Sequence, residues 1–164
     1  MPGFVGCRKF KKRTFIRSIG SFSNMNSNNN RICEKKYIVP FHDLDPMQIM
    51  WHGNYLKYFD MTRSALFANA GVDLFGYFKS TNYLFPITKT MTKHIVSLRY
   101  LDEFKCTAIV LEAQYKIVLD FQIRLIESNQ ICAKGRSEQV AVKYPEKEIM
   151  FEIPEEIRKA LGVP

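Results

Sequence analysis

The sequence predicts an α+β fold, in which one long central helix is wrapped by an antiparallel β-sheet of about five to six strands. Three observations carry this. Between Asn54 and Gly71, the residues Tyr55, Phe59, Thr62 and Leu66 recur at three- or four-residue steps, the spacing of one helix face. One segment before this helix and five after it are rich in β-branched and aromatic residues. The 164 residues, 46% of them apolar, are enough for a substantial core, so a single domain is expected.

Order is expected from Lys36, giving a domain over residues 36–164. Tyr37-Ile-Val-Pro-Phe41 reads as a strand ended by the turn-forming His42-Asp-Leu-Asp-Pro46. The helix runs from Gly53 or Asn54 to Asn69, with Asn54 suited to the N-cap and Gly71 to the C-terminal stop. The strand-like segments that follow are Leu84–Met91, His94–Tyr100, Phe104–Tyr115, Lys116–Ile126 and Ile131–Tyr144. Alternation of Val118, Asp120, Gln122 and Arg124 with Leu119, Phe121, Ile123 and Leu125 marks a sheet with one covered face. A short helix over Glu155–Leu161, with Pro154 acceptable at its first turn, closes the domain.

Residues 1–35 differ in character. They lack hydrophobic periodicity and contain the polar run Ser23-Asn-Met-Asn-Ser-Asn-Asn-Asn30, so disorder is expected there. The formal charge of +8 belongs to this end of the chain, because residues 1–36 carry nine Lys and Arg against the single Glu34. The domain itself is therefore close to neutral, and no nucleic-acid partner is expected. Three readings of the extension stay open: a dispensable or misassigned segment with translation starting at Met25, an organellar transit peptide, or a basic arm. Charges interrupt every apolar run, so no membrane span is expected. The expected location is cytoplasmic, with organellar import if the extension is real.

Cys7, Cys33, Cys106 and Cys132 share no CxxC spacing, and none has the neighbouring His or Cys of a zinc site. Buried or idle thiols are expected, with no metal and no cofactor.

The stretch Phe41-His-Asp-Leu-Asp-Pro-Met-Gln-Ile-Met-Trp-His-Gly-Asn-Tyr55 resembles the signature of the 4-hydroxybenzoyl-CoA thioesterase and YbgC-like branch of hotdog-fold acyl-CoA thioesterases. That pattern is an Asp-x-Asp turn, two or three apolar residues, an aromatic or His, and an Asn-Tyr opening the central helix. Phe59, Asp60 and Arg63 fall where the family tends to carry an aromatic, an acid and an arginine. The sequence departs from the pattern at Gln48, where the family commonly has glycine.

The resemblance implies that Asp45, the second acid of the turn, carries the chemistry, and that Asp43 supports the turn. A carboxylate ahead of a helix start suits thioester hydrolysis. It can attack as a nucleophile or act as general base for water, while backbone N–H groups at the helix start receive the developing oxyanion. Each such donor is worth about 2.7 to 4 kcal/mol in comparable sites. His52 and Gly53 are the candidate donors, and glycine at position 53 would permit close approach of an acyl group. Read locally, Asp45 would serve equally as an Asx-turn residue before Pro46. His52 could polarise the carbonyl, orient water or pack. Trp51, Tyr55 and Phe59 are the candidate substrate contacts, with a core role as the alternative for Tyr55. His42 and His94 read as structural.

By the same resemblance the chain is expected to form a homodimer or homotetramer with sites at the subunit interface. The acyl pocket would lie between the helix and residues near Asn69–Phe78 and Tyr83–Phe85, taking an aliphatic or aromatic acyl group from coenzyme A or an acyl carrier protein. Competing readings are a non-catalytic acyl-CoA-binding protein and a hotdog hydratase or dehydratase. Release of free thiol discriminates between them.

Overall fold

The computed structural model describes residues 30–163; the basic segment before them, with Met25 and Cys7, lies outside the described residues. Five strands form one antiparallel sheet: β1 (Ile32–Ile38), β3 (Ile87–His94), β4 (Glu103–Glu112), β5 (Ile117–Leu125) and β6 (Ile131–Gln139), in the order β1-β4-β5-β6-β3. A second, three-stranded sheet joins β2 (Tyr83–Leu84), β7 (Val142–Lys143) and β8 (Glu148–Ile149). The helices are α1 (Asn54–Asn69), α2 (Leu74–Thr81) and α3 (Glu155–Ala160).

Alternation decides which side of the sheet is covered. Phe104, Cys106, Ala108 and Val110 of β4 are buried, as are Ile117, Leu119, Phe121 and Ile123 of β5. Across them lies α1, whose buried face holds Tyr55, Tyr58, Phe59, Thr62, Leu66 and Phe67. The four positions expected on one face are therefore all in the core. Phe59 stacks on Phe121 with ring centroids 4.7 Å apart, and its ring lies against Gly135 of β6, where a Cβ would collide with it. Tyr58 meets Phe104 edge-on at 4.9 Å. Such aromatic contacts add about 0.5 to 1.5 kcal/mol each beyond the area they bury.

Several boundaries differ from the sequence reading, each for a local reason. The first strand is Ile32–Ile38 rather than Tyr37–Phe41, and it pairs with β4 along its whole length, from Ile32 opposite Ile109 to Ile38 opposite Glu103. Order thus begins before Lys36. Leu84–Met91 is broken at Pro86, which has no N–H to donate, into β2 of the small sheet and β3 of the large one. His94–Tyr100 is not a strand. Beyond His94 the chain leaves the sheet, and its backbone is held instead by the 49–50 segment, with the Met50 N–H donating to Leu98 O at 2.8 Å and Ile49 bridging Arg99. Helix α2 was not anticipated. Asp73 caps it, accepting from the Phe75 N–H at 3.1 Å, and Asn82 in the left-handed conformation (φ 61°) ends it.

At the C-terminus of α1, Gly71 has a φ of 77°, the conformation for which glycine is suited. At its N-terminus the N-cap position is Gly53, with no side-chain cap, and Asn54 is the first helical residue. No helix among the described residues is long and apolar enough to cross a membrane.

Candidate active site

The Asp-x-Asp turn is fastened to α1 through Asp43. This residue ends a short 3-10 turn, Phe41–Asp43, and is only 2% exposed. Its carboxylate accepts from Lys57 Nζ at 2.5 and 2.6 Å and from the Tyr58 hydroxyl at 2.5 Å, both on the first two turns of α1. Its carbonyl accepts from the Trp51 N–H at 2.8 Å and from Asn54 Nδ2 at 3.0 Å. Asn54 therefore ties the helix to the turn instead of capping it. Burial alone would raise the Asp43 carboxyl, but the Lys57 and Tyr58 hydrogen bonds and the Lys57 charge, with a smaller contribution from His42, hold it below its ordinary value. Burial and the Asp43 carboxylate push the Tyr58 hydroxyl in the opposite direction, upward.

Asp45 stands two residues on, half-buried. Its Oδ1 accepts from the Met47 N–H at 2.8 Å and more weakly from the Ile49 N–H at 3.4 Å, the Asx-turn geometry that the local sequence allows. Among the described residues Oδ2 accepts no hydrogen bond. The loop then turns back, with the Asp45 N–H donating to Ile49 O and the Gln48 N–H to Asp45 O, both at 2.9 Å. Gln48 sits at φ 61°. The position where the resembling family has glycine thus demands the left-handed conformation, which costs a residue with a Cβ about 1 to 2 kcal/mol. The turn keeps that conformation without the residue that favours it.

Gly53 serves packing. A Cβ there would run into the Trp51 indole, so the space beside its Cα is taken by this chain's own ring, not left open for an acyl group. Trp51 itself is half-exposed and lies 5.0 Å from the exposed His52 ring. The backbone N–H groups of His52 and Gly53 donate to no backbone acceptor among the described residues, and α1 starts uncapped behind them. Tyr55 belongs to the core: it is 2% exposed, and its hydroxyl accepts a long hydrogen bond from the Leu98 N–H at 3.5 Å. Its ring meets His94 edge-on at 4.6 Å, and His94 lies 6.5 Å from His52. Burial first, and His52 second, press the His94 imidazole below its ordinary value.

Phe59 lines a hollow of about 320 Å³ between α1 and the β3–β6 side of the sheet, with Leu56, Ile87 and Phe121 as its other apolar walls. A neighbouring hollow of about 290 Å³ is bounded by Leu74, Tyr83, Leu84 and Phe85, segments expected around the acyl pocket. Arg63 borders both. Its guanidinium pairs with Asp60 at 2.7 Å and donates to Gln139 Oε1 at 2.8 Å. Lys57 and Tyr58 escaped the sequence reading, although Asn54, Lys57 and Tyr58 stand at the three- and four-residue steps that put them on one helix face.

Burial pushes the Cys106 thiol up to about 12 and raises Cys33 and Cys132, so none of the three has the depressed value of an activated nucleophile. Among the described residues, no three His, Cys, Asp or Glu side chains converge as a metal site would require.

Residues 39–161 match the thioesterase-like superfamily. No curated protein matches the sequence significantly. Among solved structures, a 1,4-dihydroxy-2-naphthoyl-CoA thioesterase from Synechocystis is similar with a TM-score of 0.74 at 14% identity, over 80% of this chain and 96% of that one. An Asp-to-Asn variant of 4-hydroxybenzoyl-CoA thioesterase in complex with 4-hydroxybenzoyl-CoA is similar with a TM-score of 0.73 at 15% identity, over 80% and 99%. A Staphylococcus aureus protein in complex with CoA gives 0.74 at 14% identity, over 84% and 86%. At these identities the likeness establishes the shared fold.

Asp43→Asn is expected to cost about 1 to 3 kcal/mol of stability, since it puts an amide donor against Lys57 and Tyr58 while half-exposed Lys57 can turn to solvent. The linkage has a definite sign. A carboxyl held below its ordinary value of 3.8 stabilises the fold above that pH, and the contribution is lost as pH falls through the lower, folded value. Urea titrations between pH 2 and pH 7 should show the wild type converging on the variant at the acid end, and parallel curves would contradict the assignment.

Proposed function

The chain belongs to the thioesterase-like superfamily, and from that premise we propose that it hydrolyses acyl-CoA thioesters with Asp45 as the reacting carboxylate. The observation that carries this is that Asp45 Oδ2 accepts no hydrogen bond among the described residues, on a turn that the Asp43 carbonyl ties to Trp51 and Asn54 at the start of α1, a helix without a side-chain cap. The relatives named for 1,4-dihydroxy-2-naphthoyl-CoA and 4-hydroxybenzoyl-CoA support coenzyme A as the carrier of the acyl group.

In the general-base route, Asp45 takes a proton from water as the water oxygen bonds to the thioester carbonyl carbon. The carbonyl oxygen becomes an oxyanion facing the N–H groups of His52 and Gly53. Collapse restores the carbonyl, breaks the carbon–sulfur bond and releases CoA thiolate, which takes up a proton. In the nucleophilic route, Asp45 itself displaces the thiolate and water then hydrolyses the anhydride. Hydrolysis of the anhydride at the Asp45 carbonyl carbon would leave solvent oxygen in the carboxylate after a single turnover, whereas hydrolysis at the acyl carbon would place it in the released acid. His52, exposed beside Trp51, orients water or the thioester carbonyl in either route. Trp51 stands at the mouth of the site and Phe59 inside it, whereas Tyr55 acts through the core.

We also propose assembly into a homodimer or homotetramer. Strand β3 is the outer strand of the large sheet, eight residues long and exposed throughout, and among the described residues only β6 pairs with it. An unpaired edge of this length favours pairing with a second copy. Light scattering is expected to report at least a dimer, and a stable, fully active monomer would refute the shared edge.

Free-thiol release, followed with a thiol reagent across aliphatic and aromatic acyl-CoAs, tests the activity. Turnover of at least one thioester is expected. Binding of acyl-CoA with no thiol released from any would favour the acyl-CoA-binding reading.

A further inference from the structure

The side of the large sheet turned away from α1 is open. Alternation brings a residue from every second position of each strand to that side, and all of these except Val118 are exposed or half-buried. The cross-strand register sets them in rows. One row runs Glu34, Thr107, Gln122, Lys134, Lys93, and the next runs Ile32, Ile109, Asp120, Arg136, Met91.

Basic side chains outnumber acidic ones here, although the domain as a whole is close to neutral. Glu34 is matched to Lys105 at 3.2 Å, Asp120 to Arg136 at 2.6 Å and Glu138 to Lys116 at 2.7 Å. Lys36, Lys93, Arg124 and Lys134 pair with no acid among the described residues, and the acids left over, Glu103 and Glu112, stand at opposite ends of β4. Lys93 lies directly across from Lys134. Like charges facing each other across strands destabilise a sheet, so this pair calls for an anion between them. Both line an open hollow of about 410 Å³ that Met91 and Ile109 share.

Charge decides what this side can face. A second copy of it would set like charge against like. The segment before residue 30, with six Lys and Arg and no acid, joins the domain beside β1, an edge strand of this sheet, and carries the same sign. The occupant is therefore anionic. Between the cations Ile32, Ile38, Met91, Ile109 and Leu111 are each 37 to 53% exposed, and no aromatic side chain stands among them for a nucleic-acid base to stack on. A flat surface of aliphatic side chains with long-stemmed cations at their borders is the chemistry that a lipid headgroup layer accepts. We propose that the open side of the large sheet docks on an anionic phospholipid surface, with a headgroup phosphate between Lys93 and Lys134. Antiparallel pairing of two β3 edges keeps both open sides on one surface, so a dimer would present twice the charge to the bilayer. This docking is independent of the thioesterase reading.

Partition of the full chain into vesicles, read by co-sedimentation, tests it. Binding is expected to phosphatidylcholine containing roughly 30% phosphatidylserine and not to phosphatidylcholine alone, and it should weaken as ionic strength rises. Each Lys or Arg at an anionic surface strengthens binding about fivefold. Lys93→Glu reverses one charge and sets an acid opposite Lys134, so vesicle binding should fall at least about tenfold while the melting temperature holds or rises. Lys79→Glu, the same change of charge on α2, should cost less than about threefold. Absence of binding to the anionic vesicles, equal binding to both compositions, or equal losses from the two variants overturns the proposal, the last result moving the attraction to the basic segment. Two other results overturn it as well. One is a single-stranded oligonucleotide bound with this sensitivity to Lys93→Glu where vesicles are not. The other is a Lys93→Glu variant that binds vesicles like the wild type yet raises KM for acyl-CoA in free solution, which would assign the lysines to the substrate's phosphates.

Discussion

The Asp43 carboxylate is the point on which the site depends. Removing a charge from water costs several kcal/mol, and a buried aspartate persists only where charged and hydrogen-bonding partners offset that cost. Here the partners are Lys57 and Tyr58, both from α1, so the compensation obliges the turn and the helix to stay together. The Asp43 carbonyl adds Trp51 N–H and Asn54 Nδ2 to the same junction. A turn bearing Asp45 is thereby held against the start of a helix that has no side-chain cap. The expense of burying one acid sets the geometry of the other.

Two features of this junction run against local preference. Gln48 occupies a left-handed position that a glycine would relieve, and α1 begins without a side-chain cap even though Asn54, a good capping residue, is at hand. A sequence optimised for stability alone would have used both remedies. Strain and unsatisfied donors gathered around one carboxylate favour a site that takes its missing partners from a substrate.

The helix and the sheet were legible because their patterns are long. Sixteen residues with helical spacing define α1 to within a residue, and alternation in β5 shows which side is covered. Where the sequence misled, the deciding interactions were distant. His94–Tyr100 has strand composition, but its backbone partners are Cys132 and the 49–50 segment. Asn54 looks like a cap, yet its side chain is drawn to Asp43 eleven residues back. Gly53 invited a reading as room for substrate, and the Trp51 indole fills that room.

The central claim, that the Asp45 carboxylate performs the hydrolysis, is tested most directly by the kinetics of Asp45→Asn on whichever acyl-CoA the wild type turns over. The amide keeps the side chain's size and the Oδ1 acceptor for Met47, so the turn and melting temperature should be retained, while neither nucleophile nor base remains. The account predicts a fall in kcat of about 10² to 10⁴ with KM changed far less. A variant that melts like the wild type and keeps more than about a tenth of its kcat would contradict it.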